Sequence, residues 1–217
     1  MNLITEPYLV QVARWPIRGR HILACYDEET IIVYQAYRPS IGHFAAEQGY
    51  FGGEFSLTRM SWIKTNFLWM MYRSAWGTSE GQEVILAIRL NRTDFDEILK
   101  IAVHSTFMPE VYGTLEAFQE ASRKASVRLQ WDPDHHPSGP NLERRAIQLG
   151  LRGETLAKYA HEWIVNIEDI SEFVAQQREV VNAKDYTHLL TPREAVYPIT
   201  NESLAMKLGL TVSHKDS

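Results

Sequence analysis

With 217 residues and 45% apolar side chains, the chain is long enough and apolar enough to build one globular domain around a substantial core. A formal charge of −5 excludes steering of the whole molecule onto nucleic acid, so any polyanion has to be met by a local patch. The single cysteine, Cys25, excludes an internal disulfide and a cysteine metal cluster, and no run of eighteen apolar residues is available to span a membrane. The N-terminus lacks the basic start and apolar run of a secretory signal, so a reducing cytoplasm is the expected location.

In chain order, residues 1–19 read as a loose arm, 20–183 as a single domain and 184–217 as an irregular tail. "ETIIVYQAY" is rich in β-branched and aromatic residues and predicts a strand over Thr30–Tyr37. Ser40 is placed as the cap of a short helix through "IGHFAAEQ" that Gly49 closes. Thr65 or Asn66 caps a helix through "FLWMMYRSAW", with Gly77 as its stop. "QEVILAIRL" is an apolar strand, followed by an amphipathic helix, "TDFDEILKIAVHS", with Thr93 or Asp94 as its cap. "TLEAFQEASRK" is a further helix. "SVRLQWD" alternates, placing Arg128, Gln130 and Asp132 on one face and Val127, Leu129 and Trp131 on the other. "PDHHPSGPN" is a loop by composition, "RRAIQLGL" a short strand, "GETLAKYAHEW" a helix, "WIVNIED" a strand and "ISEFVAQQREVVNA" a last amphipathic helix. "NESLAMKLGL" is a marginal helical turn. The order of elements predicts an α+β fold with mixed, largely antiparallel central sheets and flanking helices.

The segment Arg59–Trp76, "RMSWIKTNFLWMMYRSAW", carries the aromatic density of a core, three cations and no acid. On a helix from Asn66, Trp69, Arg73 and Trp76 share a face, with Lys64 just before the helix start. Lysine beside the free N–H groups of a helix N-terminus is a sound anion site, and Trp69 offers a stacking surface. The structural alternative is that Arg73 has found an acid elsewhere and the tryptophans are core. The polar stripe Arg128, Gln130 and Asp132 either lines a cleft or is the solvent side of a sheet. Gln148, between Ile147 and Leu149, must hydrogen-bond something. Gln35, Tyr37 and Arg38 end a strand, a position that borders ligands in many folds. Asp132, Asp134, His135 and His136 raise the thought of a metal, but adjacent histidines on a Pro-rich loop are poorly spaced for one ion and read as a surface loop. Cys25, with only His21 nearby, reads as an inert buried thiol.

The blocks "YDEETIIVYQAYRPSI", "RMSWIKTNFLWMMYRSAWGT", "VRLQWDPDH" and "RAIQLGL" resemble the signature of a family catalogued as a domain of unknown function, number 4291, over roughly residues 18–182. The resemblance brings no settled activity. A second likeness, of "VYQAYRPSIGHFAAEQGYF" to the opening of ADP-ribosyltransferase-type folds, implies that the first strand and helix hold a nicotinamide dinucleotide. It would put Gln35 or Arg38 where that superfamily places its first-strand His or Arg. The Ser-Thr-Ser strand and Gln-x-Glu pair of that superfamily have no clear counterpart; Gln148 and Glu154 are the nearest residues.

The expectation is therefore an enzyme handling a nucleotide or a nucleic-acid end, in its most specific form a transferase that uses NAD. Gln35, Tyr37, Arg38, Lys64, Trp69 and Arg73 are the candidate cofactor-binding residues; Arg128, Gln130, Asp132 and Gln148 are the candidate catalytic ones. Two alternatives are a non-catalytic module for single-stranded nucleic acid and a nucleotidyl transferase or RNA ligase with Lys64 as its nucleophile, although the glycine that such ligases carry after their lysine is absent from "KTNF".

Overall fold

The computed structural model describes residues 3–211; the first two residues of the expected arm and residues 212–217 of the expected tail lie outside the described residues. The elements are β1 (Thr5–Pro7), α1 (Tyr8–Val12), β2 (Gly19–Arg20), β3 (Leu23–Ala24), β4 (Thr30–Tyr37), α2 (Pro39–Gln48), β5 (Ser61–Lys64), α3 (Phe67–Ser74) and β6 (Val84–Asn91). Next come α4 (Arg92–Ile101), β7 (Val103–His104), α5 (Pro109–Tyr112), α6 (Leu115–Lys124), β8 (Val127–His135), β9 (Asn141–Leu151) and α7 (Gly153–Lys158). A π-helical turn (Tyr159–Trp163), β10 (Ile164–Asp169), α8 (Ser171–Asn182), β11 (Leu190–Pro192), β12 (Ala195–Val196) and α9 (Glu202–Leu208) complete the chain. No helix among the described residues is long and apolar enough to cross a membrane.

The class is α+β. One central sheet runs β10-β6-β4-β5-β9-β8-β7, with β2 added alongside β9. Its pairings are antiparallel except β2–β9 and β7–β8. β4 and β6 are buried on both faces, which is why they read as unbroken apolar runs. Val33, Leu86 and Ile88 meet Ala45 of α2, Phe95 and Ile98 of α4 and Leu156 of α7 on one side. Ile32, Tyr34 and Ile85 meet Phe67 and Met71 of α3 and Val174 of α8 on the other.

Several local expectations change. α2 starts one residue before Ser40, because Pro39 presets its first turn; Ser40 Oγ donates to Glu54 rather than capping. α3 is capped by Asn66 but ends at Ser74: Ala75 and Trp76 take left-handed φ of 48° and 57°, so Trp76 lies beyond the helix. The residue before α4 is Asn91, not Thr93 or Asp94. β8 and β9 extend into the stretch read as loop, leaving only residues 136–140 as their turn, and β5 was not anticipated.

The described parts of the terminal segments are packed rather than loose. β1 pairs with β11, β3 with β12, and Tyr8, Gln11 and Trp15 are buried. The Gln11 side chain donates to the Thr191 side chain and accepts from the Glu194 N–H, while the Trp15 indole donates to the Glu194 carbonyl. These bonds join residues about 180 positions apart, which is why local periodicity misses them.

Candidate functional site

The site begins with a row of side chains running across four strands. Tyr34 on β4 is opposite Lys64 on β5, Lys64 is opposite Gln148 on β9, and Gln148 is opposite Gln130 on β8. Side chains directly opposite in a ladder share a face, so all four project to the α3 side of the sheet. Tyr34 is roofed by Phe67, but beyond it the row is open. β4 and β5 touch only at Tyr34–Lys64 and then splay apart, leaving a gap beside β4's last residues.

The result is a cavity of about 490 Å³ lined by Gln35, Tyr37, Trp62, Lys64, Arg73, Gln130, Gln148 and neighbouring residues. That volume is within the range of small-molecule and cofactor sites. Lys64 is 5% exposed, yet its amine forms no hydrogen bond and no ion pair with any described residue. Burial and then the Arg73 guanidinium push its amine down to about 8, with Asp132 acting in the opposite direction. Arg73, on the last turn of α3, is exposed and likewise unpaired. Asp132 is occupied otherwise: Gln130 Nε2 donates to its Oδ1 at 2.8 Å and Gln148 Nε2 to its Oδ2 at 2.7 Å.

Two residues in the cavity wall have no polar atoms to spare. Gln35 Nε2 bridges the splay by donating to the Ser61 hydroxyl (2.8 Å), the Trp62 carbonyl (3.1 Å) and the Tyr37 hydroxyl (2.8 Å), while its Oε1 accepts from Tyr159 (2.6 Å). The Tyr37 and Ser61 hydroxyls share a further hydrogen bond, and burial holds the Tyr37 phenol well above its ordinary range. Gln35 and Tyr37 thus line the cavity while their polar atoms hold its wall together.

Of the residues singled out from sequence, Lys64, Arg73, Gln130, Gln148, Gln35 and Tyr37 meet at one cavity, with Asp132 bonded to both glutamines of its floor. Three others go elsewhere. Trp69 is buried in a stack with Tyr72 and His135, whose rings are 3.4 Å apart. Arg128 shares the Gln130 face but reaches the carbonyls of Ser122 and Ser105 at the far end of the strand. Arg38 pairs with Glu54 at 2.7 Å and lines an adjoining cavity of about 380 Å³. Glu154, named beside Gln148 as the nearest counterpart of a Gln-x-Glu pair, is exposed and pairs with Lys158.

The anion-binding helix start is also corrected. Asn66 Oδ1 accepts from Trp69 N–H at 2.7 Å, and the buried Glu194 carboxyl accepts from Phe67 N–H at 2.7 Å. Two of the first-turn donors are therefore taken within the protein. The aromatic face is Trp62, which sequence reasoning passed over. Reading "SWIK" as a strand would have found it, since Trp62 and Lys64 then share a face. Trp62 lies over Gly150, where a Cβ would come within 3.0 Å of the ring and 2.6 Å of Met60 Sδ. His135 bonds the Gly139 carbonyl within its own turn, and among the described residues no group of three or more His, Cys, Asp or Glu is placed to hold a metal. Burial pushes the Cys25 thiol up to about 11, which leaves it a poor nucleophile.

A family model described as a domain of unknown function (DUF4291) matches residues 21–197. No curated protein matches the chain.

Proposed function

This chain belongs to the DUF4291 family, whose description carries no activity, and from its cavity we propose an enzyme that handles a nucleotide or a nucleic-acid end, held by phosphate between Lys64 and Arg73. The observation that carries this reading is the Lys64 ammonium, almost fully buried, without a partner, and opening into a space shared with a second unpaired cation. An uncompensated buried charge costs several kcal/mol. Such a cost is tolerated where a ligand supplies the countercharge, and perturbed groups of this kind concentrate in functional clefts.

Around the phosphate, Trp62 offers a flat apolar face for a base, and Gln130, Gln148 and Asp132 form a polar floor for the sugar. The most specific version of this reading is a transferase that uses NAD, whose two phosphates would meet the two cations. Chemistry at phosphate or at a ribose carbon depends chiefly on positioned charge, which Lys64 and Arg73 would provide.

The test is a thermal-shift and calorimetric screen of the full chain against inorganic phosphate, ATP, NAD and a 5′-phosphorylated short RNA, with native protein and Arg73→Met in parallel. A ligand at a hundred times its Kd stabilises the fold by about 2.7 kcal/mol. The expected result is stabilisation by at least one nucleotide that Arg73→Met removes. A flat screen at millimolar ligand overturns the proposal. Binding that weakens steeply with salt, with no turnover of any ligand, assigns a non-catalytic nucleic-acid module instead.

A further inference from the structure

The floor of the cavity restricts the ligand further. A carboxylate only accepts hydrogen bonds, so Asp132 draws the NH2 groups of both Gln130 and Gln148 toward itself. Their carbonyl oxygens are left over, and neither receives a hydrogen bond from a described residue. Each amide also keeps a second N–H, so the floor presents acceptors beside donors, and a hydroxyl group, which both accepts and donates, satisfies such a floor. Arg73, always protonated, supplies the anion-binding end. Beside these glutamines in the same cross-strand row is Lys64, with its lone pair committed to no partner. Lys100 and Lys124, by contrast, are exposed, Lys158 is half-buried, and each pairs with a glutamate.

We propose that Lys64 is an amine nucleophile that captures the aldehyde of a phosphorylated sugar as an imine, with Arg73 on the phosphate and the Gln130 and Gln148 carbonyls on the sugar hydroxyls. This rests on the phosphate-binding reading above and assigns the other end of the ligand. Desolvation next to a second cation is an established way to make a lysine nucleophilic. With its amine pushed down to about 8, about a tenth of Lys64 is neutral at pH 7, against fewer than about one in a thousand for an ordinary lysine.

The step balances without an oxidant or reductant. The Nζ lone pair attacks the carbonyl carbon, a C–N bond forms and the carbonyl π pair moves to oxygen, which takes one of the two Nζ protons to give the carbinolamine. The C–O bond then breaks as the nitrogen lone pair forms C=N, the hydroxyl leaves as water with the second Nζ proton, and hydrolysis reverses the sequence. The aldehyde is supplied either by a free aldose phosphate or by an abasic ribose phosphate within a nucleic-acid strand; the chemistry is the same.

The experiment treats the full chain with ribose 5-phosphate and sodium cyanoborohydride, which converts an imine to a stable secondary amine, and maps the added mass by peptide mass spectrometry. The expected adduct is on Lys64, at least tenfold above any other lysine. Inorganic phosphate suppresses it, unphosphorylated ribose gives at least tenfold less, and Lys64→Arg abolishes it. A parallel arm with an abasic oligonucleotide identifies the source: stronger trapping there assigns the nucleic-acid strand, weaker trapping the free sugar. Adducts spread evenly over the surface lysines overturn the inference. So does a clear melting shift with phosphate or ribose 5-phosphate but no adduct, and in that case the phosphate site stands. No shift and no adduct removes both readings.

Discussion

Lys64 on β5 and Arg73 on α3 open into one cavity, and neither forms an ion pair with a carboxylate of a described residue. Strand and helix are separated by only Thr65 and Asn66, so the two cations are brought together by a tight turn rather than by distant packing. Burial, and then the neighbouring guanidinium, raise the cost of charging Lys64.

Lys64→Met is expected to stabilise the protein while ending phosphate binding. The amine sits at about 8 when folded, against an ordinary value of 10.5. A cation depressed in the folded state penalises folding wherever both states are protonated, below about pH 8. The penalty fades as pH rises from 8 toward 10.5. Removing it stabilises the variant at pH 7 by up to about 3 kcal/mol, an advantage that shrinks across that window. Urea denaturation of both proteins at pH 7, 8.5 and 10 checks this; a variant less stable than the native protein at pH 7 contradicts it.

Arg73→Met is expected to change stability by no more than about 0.5 kcal/mol, since an exposed side chain without a partner is lost. Phosphate affinity falls at least tenfold, and Arg73→Lys restores part of it. Removing the guanidinium also lets the Lys64 amine rise. A shift of Lys64 acylation toward higher pH, followed by mass spectrometry, is the readout.

Asp132→Asn puts an NH2 group where two glutamines now donate. One of those contacts becomes donor against donor, at a cost of about 1–3 kcal/mol. It also removes the neighbour that supports the charge on Lys64, so the amine drops further. Chemical denaturation and ribose 5-phosphate titration read the two effects; unchanged stability together with unchanged affinity would show that the carboxylate does not organise the floor.

Gly150→Ala tests the aromatic wall. A methyl group there meets Met60 Sδ at 2.6 Å and the Trp62 ring at 3.0 Å. The expected result is a displaced Trp62, a changed tryptophan fluorescence and weaker nucleotide binding, with binding of inorganic phosphate retained. Equal loss for both ligands would place Trp62 outside base recognition.

Asp134→Asn addresses a part of the fold away from the cavity. Asp134 and Arg144 form a buried ion pair at 2.6 Å, with Arg144 also donating to the Pro16 carbonyl and lying over Trp15. Leaving the guanidinium uncompensated is expected to cost about 3–5 kcal/mol. Thermal denaturation measures it, and a loss below about 1 kcal/mol would mean that the pair is not a structural tie between the N-terminal segment and the sheet.

Much of the fold was legible because its signals are local. β4 and β6 announce themselves by unbroken apolar runs, α2 by Pro39 and the left-handed Gly49, and α3 by Asn66. The alternation of β8 correctly put Gln130 and Asp132 on one face, and the anomaly of three cations without an acid pointed to Lys64 and Arg73. β5 escaped because four residues are too few for a period to register, and with it went Trp62. Trp69 shares α3's Arg73 side but stacks on His135 of β8, a partner that no local pattern reveals.

The amino-acid sequence by itself determined the class of fold, the position of the main strands and helices, and the presence of an uncompensated cationic segment. Those follow from propensity, periodicity and charge, all read within a few residues. Only the tertiary structure decided which side chains face one another. It aligned Lys64, Gln148 and Gln130 in one row, used up the polar atoms of Gln35 and Tyr37, filled the start of α3 with Glu194, and tied both terminal segments into the fold. The reason is physical: strand register and hydrogen-bond partnership join residues far apart in the chain, and whether a charge is free or satisfied depends on what those distant residues bring to it.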